Sequence, residues 1–443
     1  MGCRVELSYN QATFLGVTMR ALPIVIGVMA MYPLLAWAGG FTNPDFGGRK
    51  LGMFAVTARP DDVTAIYHNP AGLTLLDGTQ LYHAQSWFLM DLKARLYDSH
   101  GKLLPEDHEI KPDWNVGVSP FFGVSSDLGT RDWRLGFAIY APNAYGAALP
   151  KDEPTRYHGT RALFLASRAT LAAAYRVDPR FSIGVSLSVV PVVLKAQSVM
   201  NAKVLADPDY RFKPVSETRS GDIDVDVFGW GVTWGADLGV LFRPLPTLRL
   251  GAAFATGSEV NLRGTVDVDY PDGSSDSTSQ HTRMVIPFGL RGGINWEFAP
   301  DFELGADIYW WHYQVFQEQR TILGRDIIPG GMPPQPKNYR NSWNWNVGML
   351  YHVHPRVEVM MGFQMDFTPI PTRTYTLDNP STDQKGVSGG VRWQISDKVR
   401  VTLAFVRNWF QLVDVQDSQA VPPANVKGHA ANFEIGADVQ WRL

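Results

Sequence analysis

The sequence predicts an all-β protein: a transmembrane antiparallel β-barrel of about 14 strands with an N-terminal plug segment in its lumen. Three observations carry this reading. Segment after segment alternates apolar and polar residues, and the connections alternate between tight turns and long polar loops. No run after residue 38 approaches the ~20 apolar residues that a membrane helix needs.

The chain begins with a targeting signal. Arg20 precedes an apolar run, Ala21 to Leu35, and Ala36-Trp37-Ala38 has the small-x-small form of a signal-peptidase site. Residues 1–38 are therefore expected to be a signal peptide, with Gly39 as the first mature residue and Met19 as an alternative start to Met1. The competing reading, an anchor helix, meets a short run interrupted by Pro23 and Pro33.

Residues 39–78 lack alternation and are rich in Gly, Asn, Asp and Pro. Leu51, Met53, Phe54, Val56, Ile66, Tyr67, Leu73 and Leu75 nevertheless need a surface to cover. Inside a wide barrel such a segment can fold into the lumen as a plug. The alternative is a loose periplasmic tail.

From residue 79 to 443 the strands follow. In Phe433 to Leu443 every odd position is apolar, while the even ones are Glu, Gly, Asp, Gln and Arg. Side chains on a strand point to opposite faces in turn, so this segment has one greasy and one wet face. Trp114 to Val124, Phe228 to Phe242, Phe288 to Phe298 and Trp343 to Val353 repeat the pattern. A soluble sandwich also alternates. The greasy face here, however, carries Trp, Phe and Met near strand ends, as lipid-facing aromatic girdles do.

Tight turns are expected at Asp178-Pro179, Pro244 to Pro246, Pro300-Asp301, His354-Pro355 and Ser396-Asp397. Long loops are expected at Ser198 to Gly221, Tyr270 to His281, Gly324 to Lys337, Thr368 to Asp383 and Val413 to Lys427. Short turns on one side and long loops on the other fit an outer-membrane barrel with its short side periplasmic, and an even strand count returns both ends to that side. A closed sheet also pairs every backbone group that lipid leaves unsolvated.

Composition excludes other classes. A net charge of −3 gives no basic footprint for nucleic acid. The single cysteine, Cys3, lies in the leader, so no disulfide or thiolate metal site is expected, and no cofactor is implied. Asp222, Asp224 and Asp226 alternate with Ile223 and Val225. They read as a wet lumen-facing row, or as oxygen ligands for calcium without the 12-residue loop that calcium sites use. A barrel hydrolase would need a Ser-His or Asp-His pair at the rim; His312, His352 and His354 have no serine nucleophile motif beside them. Ala141-Pro142-Asn143-Ala144-Tyr145-Gly146 suits a strand kink. Pro142 lacks an amide hydrogen and belongs at a bulge, and Gly146 tolerates unusual dihedrals. The same residues equally suit a strand end.

The segment Asp61 to Leu73, with Asn69-Pro70-Ala71 at its centre, resembles the hatch motif of FadL-type long-chain fatty-acid transporters, a family that includes channels for aromatic hydrocarbons. Ala174 to Gly184, Phe228 to Phe242, Pro287 to Trp311 and Phe367 to Pro371 are similar to that family's later strands and loops. The resemblance implies an outer-membrane passive transporter for a hydrophobic small molecule, fatty acid or aromatic hydrocarbon. It implies gating by a hatch at Asn69, Pro70 and Ala71, and an inner site near Phe41. It further implies lateral release into the membrane through a strand-3 kink at Pro142, Asn143 and Gly146. The expected partners are the lipid bilayer and lipopolysaccharide, with the protein a monomer. A general porin and a barrel hydrolase are the alternatives, the plug-like segment speaking against the first. Two departures stand out. Met200 to Gly221 and Pro271 to His281 look short and polar where fatty-acid transporters carry larger helical loops, and the chain ends in Leu443 where barrels commonly end in an aromatic.

Overall fold

Strand follows strand from Thr79 to Arg442 in a computed structural model that describes residues 41–42, 45–111 and 116–443. The expected signal peptide, its cleavage point and Trp114 lie outside the described residues. The strands are β1 (Thr79–Leu96), β2 (Val116–Ser126), β3 (Trp133–Ala148), β4 (Arg161–Asp178), β5 (Phe181–Met200) and β6 (Ile223–Leu245). β7 comprises Leu248–Ala255 and Ser258–Asp269, and β8 comprises Ser275–Ile286 and Gly289–Ala299. Then come β9 (Phe302–Trp311), β10 (Ser342–His354), β11 (Val357–Asp366), β12 (Gln384–Gln394), β13 (Val399–Phe410) and β14 (Val426–Arg442).

Each strand pairs antiparallel with the next. β1 pairs with β2 on one side and with β14 on the other, from Gln80 opposite Arg442 to Leu96 opposite Val426. The described strands thus form a closed fourteen-stranded barrel, as the alternation predicts.

The two faces sort as expected. In β14, Glu434, Gly436, Asp438 and Gln440 are buried while Ile435, Val439 and Trp441 are exposed. Trp87, Trp133, Trp230, Trp234, Trp296, Trp345, Trp393 and Trp409 stand on the same outer face of their strands. So much exposed apolar surface marks a membrane-facing belt.

All five expected tight turns are present. One loop expectation fails: Ser275 to His281 is strand, paired with Arg263 to Asp269 across a turn at Tyr270–Ser274. Ser, Thr and Gln there read as loop because this hairpin stands clear of the apolar belt, where a strand needs no greasy face. The acidic row is also corrected. Val225 and Val227 face inward under Ile327 and Ile328, while Asp224 is exposed. Asp222 precedes β6 and accepts from Arg156, Tyr157 and Asn201.

Candidate functional site

The lumen face contacts residues 45–78. Helix α1 (Gly48–Met53) and helix α2 (Ala65–His68), followed by a 3₁₀ turn (Pro70–Leu75), are buried almost throughout. Of the apolar residues expected to need cover, only Leu75 is exposed.

Glycines make this contact possible. A Cβ at Gly184 or Gly239 would overlap Asn69-Pro70-Ala71, one at Gly251 would overlap the Thr57 carbonyl, and one at Gly348 would overlap the Met53 carbonyl. Gly239 sits opposite Gly184, Gly293 opposite Gly251, and Gly348 opposite Gly305 and Gly362. The result is a bare backbone track around the wall. The strand reading counts these residues simply as the wet face. A wet face built of glycine, however, offers water no side chain, and that was the available signal.

Ion pairs reinforce the contact. Arg49 reaches Glu303 at 2.7 Å and Asp61 at 3.2 Å, Arg59 reaches Glu297 at 2.6 Å, and Arg392 reaches Asp61 at 3.2 Å. Burial opposes the charge on Asp61, yet Arg392, Arg49, Arg400 and Arg59 together hold its carboxyl well below the usual range. Burial also pushes the Lys50 ammonium down against the pull of Asp45.

Asn69 has a definite structural job. Its amide donates to the carbonyls of Thr57 and Val240, both at 3.0 Å, and its Oδ1 accepts from Ala71 N to cap the 3₁₀ turn. Asn69, Pro70 and Ala71 therefore sit against β5 and β6, nearer the short-turn end than the aromatic chamber that holds Phe41.

Phe41 packs edge-on against Phe164 and Tyr313, with ring centroids 5.2 Å apart in both pairs. Tyr145, Val190, Val192, Leu194, Trp311, Phe316 and Tyr339 extend this apolar cluster. The Tyr313 hydroxyl accepts from Phe41 N at 3.2 Å and bonds Thr42 Oγ1 at 2.7 Å. Asn143 Nδ2 donates to Thr42 Oγ1 at 3.0 Å. At the long-loop end a cleft of about 170 Å³, walled partly by Tyr157, His158, Val199 and Val204, reaches down to Ala162 and Leu194 of the same cluster. The loop over it carries short helical turns, Ala202–Ala206 and Val215–Thr218. Ser99 to Asp209 (2.9 Å) and Arg211 to the Pro423 carbonyl (2.6 Å) hold it down.

Beside the chamber the wall is broken. β2 and β3 pair only up to Phe121 opposite Tyr140. Beyond that point β2 pairs with β1 alone, and β3 turns buried at every residue from Tyr140 to Ala148. Against β4, Tyr140 faces Arg168 and Asn143 faces Ala166, so β3 carries one extra residue at Ala141-Pro142. Thr42 bridges Asn143, and Ala144 N donates to the Phe41 carbonyl, on the edge that β2 leaves. Gly146 plays no part in the bulge: it pairs in register with Leu163 and has no left-handed backbone. The bulge forms at Pro142 because a residue without an amide hydrogen loses nothing by leaving the ladder.

Catalytic geometry is absent at the tempting histidines. His352 lies 3.5 Å from Glu303 and Glu358, His354 accepts from Arg356 N in its turn, and His312 leans at a tilt against the Phe288 ring. Gly386-Val387-Ser388-Gly389-Gly390 has the spacing of a hydrolase nucleophile elbow. It lies within β12, however, and Ser388 donates to the Gly52 carbonyl at 3.0 Å. Ser99 does contact His100 at 3.4 Å, but on an exposed turn where its proton goes to Asp209.

A closed, girdled barrel with a segment packed on its lumen face and a break in its wall defines an outer-membrane channel. The model of the Outer membrane protein transport protein family (OMPP1/FadL/TodX) matches residues 29–441, and the chain belongs to that family of Gram-negative outer-membrane channels for hydrophobic compounds. No curated protein sequence matches. Among solved structures, a Pseudomonas aeruginosa FadL homologue aligns with a TM-score of 0.77 at 17% identity, covering 91% of this chain and 99% of its own. The P. putida toluene transporter TodX gives 0.69 at 15%, covering 90% and 99%. The Ralstonia pickettii toluene transporter TbuX gives 0.65 at 17%, covering 90% and 99%. At these identities the likeness establishes the fold.

Proposed function

We propose that the protein is a passive outer-membrane channel that admits long-chain fatty acids or aromatic hydrocarbons and releases them sideways into the membrane. In this reading residues 1–38 are a cleaved signal, 39–78 a hatch, and 79–443 the barrel. Cargo enters through the cleft at the long-loop end, occupies the chamber around Phe41, and leaves between β2 and β3 at the Ala141-Pro142 bulge. The observation that carries it is the loss of the β2–β3 ladder beyond Phe121 and Tyr140, next to an apolar chamber. Backbone groups in lipid are otherwise paired strand to strand, so a place where that ladder stops needs a purpose. Residues 45–78 on the lumen face speak against an open aqueous porin.

The test follows from the register. Deleting Pro142 removes the extra residue and lets Asn143 rejoin the ladder two positions after Tyr140. Uptake of oleate and of toluene by cells relying on this protein should fall toward background, with the barrel still folded by its heat-modifiable migration. Unchanged uptake would eliminate the lateral route. Large ion currents through the unaltered protein in planar bilayers would eliminate the hatch.

A further inference from the structure

At the long-loop end, the lipid-facing side of β12, β13, β14 and β1 carries basic residues among its apolar ones. Lys385, Arg407, Lys427, Lys93 and Arg95 all stand on the strand face that also holds Trp87, Trp409 and Ile435.

Arg407 is the least expected of them. It lies between Phe405 and Trp409 along its strand, and its neighbours across the two ladders are Val387 and Phe433. Its guanidinium sits 5.9 Å from the Trp409 ring centroid, and among the described residues it has no carboxylate partner. A charge on the lipid face of a barrel is destabilising unless an anion or interfacial water meets it. Lys385, exposed and opposite Trp409, is its diagonal neighbour at about 7–8 Å.

A single cation against lipid can snorkel to the interface. Cations set directly against one another are a stronger sign. Across the β1–β14 ladder Arg95 stands opposite Lys427, and Lys93 stands opposite His429. Like charges so placed repel unless an anion lies between them. The local acids do not fill that role. Asp414 takes Lys427 at 3.5 Å, Glu109 is taken by Lys111 at 3.6 Å, and Asp383 accepts from Thr368 N. Asp91 is exposed and forms no ion pair among the described residues. Arg95 reaches only the Leu104 carbonyl, at 3.5 Å. Elsewhere at this end the pattern differs: Glu259 matches Arg283, Asp276 matches Arg325, and Lys195 stands singly over Phe228.

We infer that this face is a seat for one lipopolysaccharide molecule of the outer leaflet. Arg407 and Lys385 hold one phosphate of its lipid A, and Lys93, Arg95 and Lys427 hold the other, through charge-assisted hydrogen bonds. Strand rise and spacing put the two groups roughly 15 Å apart. Between them Ala431, opposite both Trp409 and Asp91, leaves the surface low, and Trp409 and Phe433 meet the acyl chains. The long loops place this end at the outer leaflet. The seat is on the outside of the wall and does not depend on what the lumen carries.

Native mass spectrometry of the purified full-length protein in nonionic detergent, titrated with bisphosphoryl lipid A, monophosphoryl lipid A and phosphatidylglycerol, tests it. Bisphosphoryl lipid A should bind at least fivefold tighter than either of the others. Lys385→Gln with Arg407→Gln, and separately Lys93→Gln with Lys427→Gln, should each abolish that preference, while Lys195→Gln keeps it. Equal binding of the two lipid A forms by the unaltered protein would overturn the two-phosphate seat, whether or not the variants fold. Folded double variants that lose no more than Lys195→Gln would overturn its location. Phosphatidylglycerol binding as tightly as bisphosphoryl lipid A would overturn its occupant.

Discussion

Substituting Gly348 should unseat the N-terminal segment. Gly348 faces the lumen between Gly305 and Gly362, and a Cβ there would overlap the Met53 carbonyl and lie 2.7 Å from Met53 C and Cβ. The obstacle is backbone, which cannot rotate away as a flexible side chain can. Overpacking of this kind costs about 1–3 kcal/mol, a roughly 5- to 150-fold shift toward the unseated state. Gly348→Ala should fall near the low end and Gly348→Val near the high end. Gly292→Ala is the control, since its Cβ meets only Ile308 at an ordinary 3.6 Å. Planar-bilayer conductance should rise in the order Gly292→Ala, Gly348→Ala, Gly348→Val. Trypsin cleavage after Arg49 and Lys50 should rise in step. Conductance and protection equal to the control in both Gly348 variants would refute the idea that bare backbone seats the segment.

Two further perturbations follow from single side chains. Asn69→Ala strands the Thr57 and Val240 carbonyls and uncaps the 3₁₀ turn, costing about 1–3 kcal/mol. Asn69→Asp, which sets a carboxylate against both carbonyls, should cost more, so tryptic cleavage after Lys50 should be faster in the aspartate variant. Burial and then the Arg211 guanidinium hold His158 down to about 3, against an ordinary 6.5. Between those values the unfolded loop binds more protons than the folded one, so stability rises with pH across that window. Acidifying from pH 6.5 toward 3 should therefore lower the amide protection factors, exchange relative to that of an unfolded chain at the same pH, in residues 201–221, which Arg211 ties to the barrel through His158 at 2.9 Å. His158→Gln should flatten that dependence, and pH-independent protection factors in the unaltered protein would contradict it.

The sequence by itself determined the barrel. Two-residue alternation is a local property: each strand's greasy and wet faces are written in its own residues, and Pro-containing turns punctuate them, so strand count and membrane orientation need no knowledge of partners. The proline at 142 marked either a bulge or a strand end, because a missing amide hydrogen is a fact about one residue that both would accommodate. What only the tertiary structure decided was what meets across the lumen. Asp61 is far from Arg392 and Arg400 in the chain, yet both join Arg49 and Arg59 in holding its carboxyl low. Gly348 matters because Met53 arrives there, and Arg168 and Arg291 meet only because both reach Asp237. Such encounters depend on register and closure around fourteen strands, and no window of sequence contains them. The greasy-outside rule also failed at the hairpin of residues 258–286, for the strand there leaves the bilayer and with it the solvent that imposes the pattern.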